Sequence, residues 1–418
     1  MAQSPPQPTL LDARMPAVRW LVEACGVYLA RISGRSDAAT SLAFDASLDS
    51  AHLASLVPAL QLGPMLHSLA SQGAIEGDVP ESVRHDWDAA YSMTVLRNGR
   101  RLRALSHIVD RCEKVGVGVL ALKGPVHIAR IYGDLGMRPM LDVDVQCRER
   151  DLAAAVSCLY DLGYESLGET AIHHLEFEHD TFQGHLELHF EMYDLIRAPS
   201  AFEERLWETR VALGAAGETF EGPSVACGLV FDVAHLVHHD LRVHLRALVD
   251  VAAQMPNLRE SDAHDEVVGL LDETDLRSEY EDLETLFGHV FGWMPDRSGQ
   301  IPNERRRATI DNAKALAAQL KRHWAALPED TGAGVLRELS YRTGTRRKAA
   351  HLGRILFPRG AHLKALHADQ PSLLRRVLHG AGVVSKGLRA LGSGASLSTV
   401  PRVSLKRAMY RRRRDQRN

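Results

Sequence analysis

One central stretch, residues 119–191, constrains the fold of this 418-residue chain more than any other. It opens with four apolar residues, Val-Leu-Ala-Leu, that run directly into the turn Lys123-Gly124-Pro125. Further along come Leu-Asp-Val-Asp-Val at 141–145 and Leu-Glu-Leu-His-Phe-Glu at 186–191. Because side chains alternate across a strand, each of these two strands presents its acidic residues on one face and its apolar residues on the other. The sequence therefore predicts a small mixed sheet of α+β class that gathers acidic groups on one face.

Periodicity predicts the elements around this stretch. Strands are expected at 119–122 and 141–147, with a hairpin of strands 174–182 and 185–192 that turns at Gln183-Gly184. Helices are expected at 81–114, 126–132, 151–162, 202–213, 225–240, 244–255, 279–291 and 303–326. Residues 10–80 read as short helices broken at Gly34, Asp37, Pro58, Gly63 and Pro64. The helix at 81–114 has an apolar face, and its arginines Arg97, Arg100, Arg101 and Arg103 are expected on the solvated side.

The chain is too long for one ordinary core, so several regions are expected. We predict a disordered leader (1–9), an N-terminal helical region (10–80), an α/β core (81–200), a helical domain packed on it (201–295), a basic helical region (296–400) and a basic tail (401–418).

The net charge of −3 is unevenly distributed, because 19 Lys and Arg follow from position 342 onward against only Asp369 and Asp415. Such a basic end can contact nucleic acid or anionic lipid, but a solvated terminus is the simpler interpretation. The five cysteines form no Cys-x-x-Cys pair, which favours a reducing cytoplasm over a disulfide or zinc framework. No secretory leader and no membrane span are expected from the pattern of apolar residues.

Two carboxylates on one face of a strand are what a hard cation such as Mg²⁺ (or Mn²⁺) binds, and Asp142 and Asp144 meet that description. A third acidic residue on a neighbouring strand can complete the metal site or act on an attacking hydroxyl. Glu187 is the first candidate and Glu191 the second. His189, two residues after Glu187, is either a ligand or a hydrogen-bond partner that orients Glu187 or Asp142.

A Lys-Gly turn before a helix can hold phosphate through backbone N–H groups and a positive charge. Lys123 and Gly124 form such a turn, and Arg138 precedes the Asp-x-Asp strand by four residues. These three residues are candidates for binding the triphosphate of an NTP, because phosphoryl and nucleotidyl transfer depend on positioning and charge neutralisation.

The remaining polar groups are less informative. His235, His238 and His239 on one predicted helix are expected to be core or cleft residues, although His235 and His239 have metal-ligand spacing. Arg246 and Asp250 are expected to pair on a helix surface. The hairpin histidines His173, His174, His179 and His185 are expected to be solvated or at the hairpin edge.

In combination, these motifs resemble the uncharacterised nucleotidyltransferase family of the DNA polymerase beta-like superfamily. The family's "hhhKG" turn, its Arg before "DhDhhV", its helix ending in Gly-Tyr and its "hEhHh" strand correspond here to residues 120–124, Arg138, residues 142–145, Gly163-Tyr164 and residues 187–190. A His-rich helix followed by "LRxLxD" corresponds to 236–239 and 245–250. The resemblance covers residues 85–255 best.

The resemblance implies a polymerase-beta-like fold and metal-dependent transfer of NMP from an NTP to a small-molecule or protein acceptor, with release of pyrophosphate. It places Asp142, Asp144 and Glu187 at the metal, and Lys123, Gly124, Arg138 and His189 at the nucleotide. Better known members of the superfamily have Gly-Ser or Gly-Gly where this chain has Lys123-Gly124. That departure motivates a first alternative, a catalytically weak nucleotide- or partner-binding scaffold.

A second alternative is an RNA-modifying nucleotidyltransferase that grips RNA with its basic C-terminal region. We rank it below the small-molecule or protein acceptor, because the basic residues are terminal and few aromatics accompany them. The sequence leaves the acceptor, the preferred NTP and the oligomeric state open.

Overall fold

The computed structural model describes residues 10–34, 40–170, 173–180, 184–193, 196–197, 199–239, 241, 244–259, 263–292, 314, 317–318 and 320–324. The predicted leader (1–9), the basic tail (401–418) and most of the basic region (296–400) lie outside these residues. The chain divides into two compact units, one of residues 1–93, 241–264 and 277–331 and one of residues 94–240, 265–276 and 332–418.

Eleven α-helices and nine strands lie within the described residues. The helices are α1 Leu10–Ile32, α2 Ser50–Leu60, α3 Gly63–Ser71, α4 Glu81–Glu113, α5 Gly124–His127, α6 Leu152–Asp161, α7 Pro199–Glu208, α8 Val225–His238, α9 Leu245–Arg259, α10 Ala263–Glu273 and α11 Arg277–Phe291. The strands are β1 Leu42–Ala43, β2 Ile75–Glu76, β3 Leu120–Ala121, β4 Asp142–Gln146, β5 Glu165–Thr170, β6 His174–His179, β7 Gly184–His189, β8 Val211–Ala215 and β9 Glu218–Gly222.

The first unit is mainly helical. Its helix α1 packs against α2, α9 and α11, and Trp20 of α1 stacks on Trp87 of α4 with ring centroids 6.2 Å apart. The sequence prediction of short helices throughout 10–80 is wrong for α1, which runs 23 residues through Pro16, and Pro58 lies inside α2 instead of breaking it. The predicted break at Gly63 and Pro64 is confirmed, because α3 begins there with the proline in its first turn.

Within the described part of the chain, no single helix is long and apolar enough to cross a membrane. The pair α2 and α3 passes the same test on length and composition, but the two helices are bent by 113° at their junction.

The second unit is built on a five-stranded sheet of order β3-β4-β7-β6-β5. Strands β4 and β7 pair in parallel, and every other pair in the sheet is antiparallel. The apolar residues of β4, β6 and β7 are buried in one core with residues of α4 and α6. This mixed sheet with flanking helices confirms the predicted α+β fold, and its central strands begin and end within a few residues of the predicted ones.

Four elements of this unit were not predicted. Strand β5 adds an edge to the hairpin, and α10 forms near residue 270. The helix predicted at 202–213 ends at Glu208, and β8 and β9 follow as a hairpin. Its two turn residues, Ala216 and Gly217, both have positive φ, at 55° and 82°, which is the backbone of a tight primed turn. A glycine at the second turn position was the available signal.

Candidate active site

The pairing of β4 with β7 brings the predicted acidic residues together. Asp144 lies opposite Glu187 in the parallel register, and Asp142, two residues earlier on β4, lies opposite His185. Residues directly opposite each other share a face of the sheet, so Asp142, Asp144 and Glu187 project to the same side. The intervening residues Val143 and Val145 are buried on the other side. The structure therefore assembles the three predicted carboxylates from residues 45 positions apart or fewer in sequence.

Lys123 projects into this acidic group from the turn after β3. Its ammonium Nζ lies 2.6 Å from Oδ1 of Asp144 and 3.7 Å from Oε2 of Glu187. Its backbone has φ 47° and ψ −106°, a conformation that a residue with a side chain rarely adopts and that costs about 1–3 kcal/mol. Strain of this kind is concentrated at functional sites, where the surrounding structure holds it.

His189 closes the group on the buried side. Its Nε2 lies 3.1 Å from Oδ1 of Asp144 and 3.3 Å from Oε2 of Glu187. A carboxylate only accepts hydrogen bonds, so the imidazole N–H donates to both. The hydrogen-bond role is present in the structure, and the residues that His189 orients are Asp144 and Glu187, not Asp142.

The pKa values of the three acids shift in different directions. Burial and the nearby charge of Asp144 raise the pKa of Asp142 to about 6. Burial would also raise the pKa of Asp144, but the Lys123 ammonium and His189 together outweigh it and the pKa is lowered. The pKa of Glu187 falls well below its usual range, because the His189 hydrogen bond and Lys123 outweigh burial. Two acids are thus charge-compensated by the protein, while Asp142 is poorly compensated.

The two cationic partners shift in the corresponding direction. Burial alone would lower the pKa of Lys123, but Asp144, Tyr193 and Glu187 raise it well above its usual value. Burial would likewise lower the pKa of His189, and hydrogen bonds to Asp144 and Glu187 raise it. Lys123 and His189 are therefore held as charged partners of the acids.

The other predicted nucleotide residues lie beside this group. Arg138 is buried, and a Cβ at Gly124 would meet its Nη1 at 3.0 Å and Met140 at 2.8 Å. A side chain at 124 would therefore displace the side chains of Met140 and Arg138, and glycine leaves room for both. The positive charge of Arg138 also reaches Asp142 and lowers its pKa against the larger effect of burial.

Two residues of α4 hold that loop, and the sequence analysis missed both. Asn98, which is fully buried, donates from Nδ2 to the carbonyls of Leu135 and Arg138, at 2.7 Å each, and accepts from the Met140 N–H. Arg101 donates to the carbonyls of Met140 and Leu141. Its predicted solvated position is wrong, because it is buried while Arg97 and Arg100 are exposed. Polar residues three apart on an otherwise apolar helix stripe were the available signal.

Histidines cover the buried end of the polar face. His173 and His174 lie half-buried against His189, with ring centroids 5.7 and 5.1 Å from it, so the predicted solvated role is wrong for these two. His174 Nε2 also lies 3.9 Å from Glu187. His173 lies beside the end of β7, because its carbonyl accepts from the Phe190 N–H.

Helix α8 supplies the other histidines. His238 packs against His173 and Tyr193, at centroid distances of 5.2 and 4.8 Å, and His235 packs against His239 at 4.6 Å. Burial and the charge of Lys123 lower the pKa of His235 well below its usual value, so this residue is neutral. The predicted core or cleft position agrees with the packing of His235 and His238, whereas His239, which follows the last residue of α8, is exposed.

Two further candidates occupy other positions. Glu191 follows the end of β7 and lies outside the paired rows, with its backbone N–H directed at the His173 carbonyl. Arg246 and Asp250 do form the predicted ion pair, but Asp250 is only 2% exposed, so the pair is buried and not on the surface. Arg246 also donates to the side chain of Gln61.

The donor set fits a divalent cation. Ligand atoms of Asp144, Glu187 and His189 lie within 4.8 Å of one another, and Asp142 adds a carboxylate on the same face. Burial first, and then the charge of Asp144, raise the pKa of Asp142, so a cation bound at this carboxylate would favour its ionised form. Carboxylate oxygens concentrated in this way are preferred ligands of Mg²⁺ and Mn²⁺.

Comparisons with known proteins agree with this chemistry. A family model described as "Uncharacterised nucleotidyltransferase" matches residues 46–292, which is more than half of the chain. None of the curated proteins matches the sequence. Similar solved structures include ANT(2″)-Ia in complex with adenylyl-2″-tobramycin, 13% identical over 43% of this chain and 98% of its own, with a TM-score of 0.33. Another is an antigenic nucleotidyltransferase-like protein from Paracoccidioides brasiliensis, 15% identical over 43% of this chain and 92% of its own, with a TM-score of 0.28.

Proposed function

The chain belongs to the uncharacterised nucleotidyltransferase family, and from that premise we propose that its polar sheet face transfers NMP from an NTP to a hydroxyl or phosphate acceptor. The acceptor would be a small molecule or a protein, and pyrophosphate would be released. The observation that carries the proposal is the alignment of Asp144 with Glu187 across parallel strands, with Asp142 on the same face and Lys123 between the acids.

Asp142, Asp144 and Glu187 would hold Mg²⁺ or Mn²⁺. The bound cation would neutralise triphosphate oxygens and stabilise charge in the displacement. Between the two roles predicted for Glu187, its lowered pKa favours the ligand over the general base, since an efficient base titrates near the working pH. His189 would fix the orientation of Asp144 and Glu187 through its two hydrogen bonds.

Lys123 would serve both the acids and the nucleotide. Without ligand its ammonium compensates Asp144 and Glu187 at close range. A cation bound to those carboxylates repels Lys123, and the triphosphate offers it new oxygen partners within the same turn. We therefore propose that Lys123 turns from Asp144 toward the phosphates when metal and NTP enter together.

Gly124 and Arg138 would support the phosphate turn. Gly124 leaves room for the 138–140 loop, and Arg138 lies against it. Since Arg138 is only 5% exposed, its proposed contribution is mainly to hold the turn and add positive charge near the phosphates. Asn98 would keep this loop in place from α4.

The decisive experiment is pyrophosphate release from each of the four NTPs with Mg²⁺ or Mn²⁺, with cell extract supplying the acceptor. Wild type is compared with an Asp142→Asn, Asp144→Asn double variant and with Glu178→Gln, a matched control at an exposed acid of β6. The proposal expects metal-dependent release that the double variant loses and the control keeps. Labelled NTP would then identify the acceptor.

Two alternatives give different results in the same assay. A nucleotide- or partner-binding scaffold, suggested by Lys123 at a position that is glycine in better known superfamily members, would bind NTP without release. An RNA-modifying enzyme would release pyrophosphate only with RNA, with strong salt dependence, and would lose RNA binding when residues 400–418 are removed. We propose a cytoplasmic location, which the five free and buried cysteines support.

A further inference from the structure

Six histidines gather at the buried end of the polar sheet face, and the proposed nucleotidyl transfer uses only one of them. The histidine cluster consists of His173, His174, His189, His235, His238 and His239, which are linked by ring contacts of 4.6 to 5.7 Å. Nitrogen ligands are not what Mg²⁺ prefers, so the cluster is not explained by the carboxylate site.

Three members of the cluster converge. Ring nitrogens of His173, His174 and His189, the histidine trio, all lie within 4.8 Å of one another. Tetrahedral zinc, with Zn–N of about 2.0–2.1 Å, holds nitrogens about 3.4 Å apart, so side-chain rotations would have to close the trio by about 1 Å. His173 and His174 each retain some exposure, and the His174 side chain is 12% exposed.

The nitrogens of the trio are available for a metal. Nδ1 of His174 is buried, and no hydrogen-bond partner for it occurs among the described residues. Burial and the neighbouring histidines lower the pKa of His173 well below its usual value, so its imidazole is neutral, as a metal ligand must be. His189 donates Nε2–H to Asp144 and Glu187, so its other nitrogen, Nδ1, would bind the ion and would release its proton when the metal binds.

We propose that His173, His174 and His189 form a second cation site, selective for a transition metal such as Zn²⁺ or Co²⁺ over Mg²⁺, that shares His189 with the carboxylate site. Neutral imidazoles bind Zn²⁺ and Co²⁺ far better than they bind Mg²⁺. Three nitrogens leave a coordination position for water or a ligand group. This site requires no transferase activity, so the proposal does not depend on the proposed function.

The test is a Co²⁺ titration of the full chain, stripped of metal with chelator and kept in excess Mg²⁺. Visible absorption reports nitrogen coordination, and elemental analysis after Zn²⁺ loading reports stoichiometry. The variants are His173→Asn with His174→Asn, and the single change His174→Gln in case the double variant does not fold. The matched controls are His185→Asn, an exposed histidine of β7, and Asp142→Asn, which impairs the carboxylate site without touching the trio.

Wild type, His185→Asn and Asp142→Asn are expected to bind one equivalent with the same spectrum, and the trio variants to bind at least about tenfold more weakly. The site is disproved if wild type takes up no Co²⁺ in excess Mg²⁺, or if the folded trio variants bind as wild type does. Loss of binding in Asp142→Asn would instead place the ion on the carboxylates and also reject the trio. Pyrophosphate release from these variants reports on the proposed transferase separately.

Discussion

Both faces of the central sheet bury side chains, but they bury side chains of different kinds. On one face, Val145, Leu186 and Leu188 are packed among apolar side chains of α4 and α6. On the other, Asp144 and His189 are as deeply buried, yet they are ionised groups that compensate one another. Apolar burial stabilises the fold, whereas a buried ionic group contributes little or costs stability. Along the same strands, one set of alternate residues therefore stabilises the fold and the other set forms the candidate site.

The largest expected effect is a loss of activity on substitution of a residue that belongs to the polar face alone. Asp142→Asn should lower NMP transfer at least about a thousandfold, about 4 kcal/mol, because a metal-binding carboxylate is removed. The free energy of unfolding should not fall, since ionised Asp142 is poorly compensated. Initial rates and urea unfolding measure the two quantities, and a large loss of stability would show that the faces are not separable.

The apolar face should give the opposite result. Leu188→Ala removes a side chain that is 1% exposed and should cost about 2–5 kcal/mol of unfolding free energy. The transfer rate per folded molecule should change little. Urea unfolding of this variant is compared with that of Leu141→Ala, a control at a leucine that is 53% exposed. Equal destabilisation by both would contradict the assignment of the core.

Arg101 connects α4 to the loop before Asp142, so its substitution should affect both properties. Arg101→Gln should cost about 1.5–3 kcal/mol, the usual contribution of hydrogen bonds from a charged donor. Transfer should weaken as the loop loosens. Arg100→Gln, at an exposed position one residue away, is the control in both the unfolding and rate assays. If the two variants behave alike, Arg101 does not position the loop.

Lys123 compensates the charge of Asp144 and Glu187, so its removal should strengthen the binding of Mn²⁺ and weaken the binding of NTP. Lys123→Met should bind Mn²⁺ roughly tenfold more tightly without NTP, because the ammonium no longer competes for Asp144 and Glu187. The KM for NTP should rise at the same time. Electron paramagnetic resonance of free Mn²⁺ measures the first effect, and weaker Mn²⁺ binding would exclude competition by Lys123.

The smallest effect concerns an acid away from the polar face. Burial raises the pKa of Glu203 from an ordinary 4.5 to about 7. Its neutral form is therefore favoured in the fold, and stability is lost as pH rises from the unfolded value through the folded one. Glu203→Gln should be more stable than wild type near pH 8, by less than about 1 kcal/mol because the group is half-exposed. Urea unfolding should show the gap closing toward pH 4.5.

The sequence was sufficient to predict the strands of the site. Asp142 and Asp144 alternate with valines, so burying the valines on one face places both carboxylates on the other. Glu187 was also predicted on a neighbouring strand, but its register opposite Asp144 was not predicted. The role of Arg101 did not follow, because an arginine on an amphipathic helix is normally solvated and only tertiary contacts with Met140 and Leu141 bury it.

The histidines show the same limit. His173 directly precedes β6, and strand alternation alone does not predict its contact with His189. The hydrogen bond from the Phe190 N–H to the His173 carbonyl places His173 beside the end of β7. The helix predicted at 202–213 extended three residues into β8, and β9 was not predicted at all. The positive φ of Ala216 and Gly217 decides in favour of the turn.

The ammonium of Lys123 has a consequence for how the protein is made. Three carboxylates on one sheet face repel one another, and in many metalloproteins the ion must arrive before the chain can fold stably. Here a lysine held at positive φ delivers a permanent cation to Asp144 and Glu187 from within the same unit. On the proposed function, the newly synthesised chain would reach its native state in a metal-poor compartment and acquire its ion afterwards, so metal supply would control activity without controlling the amount of folded protein.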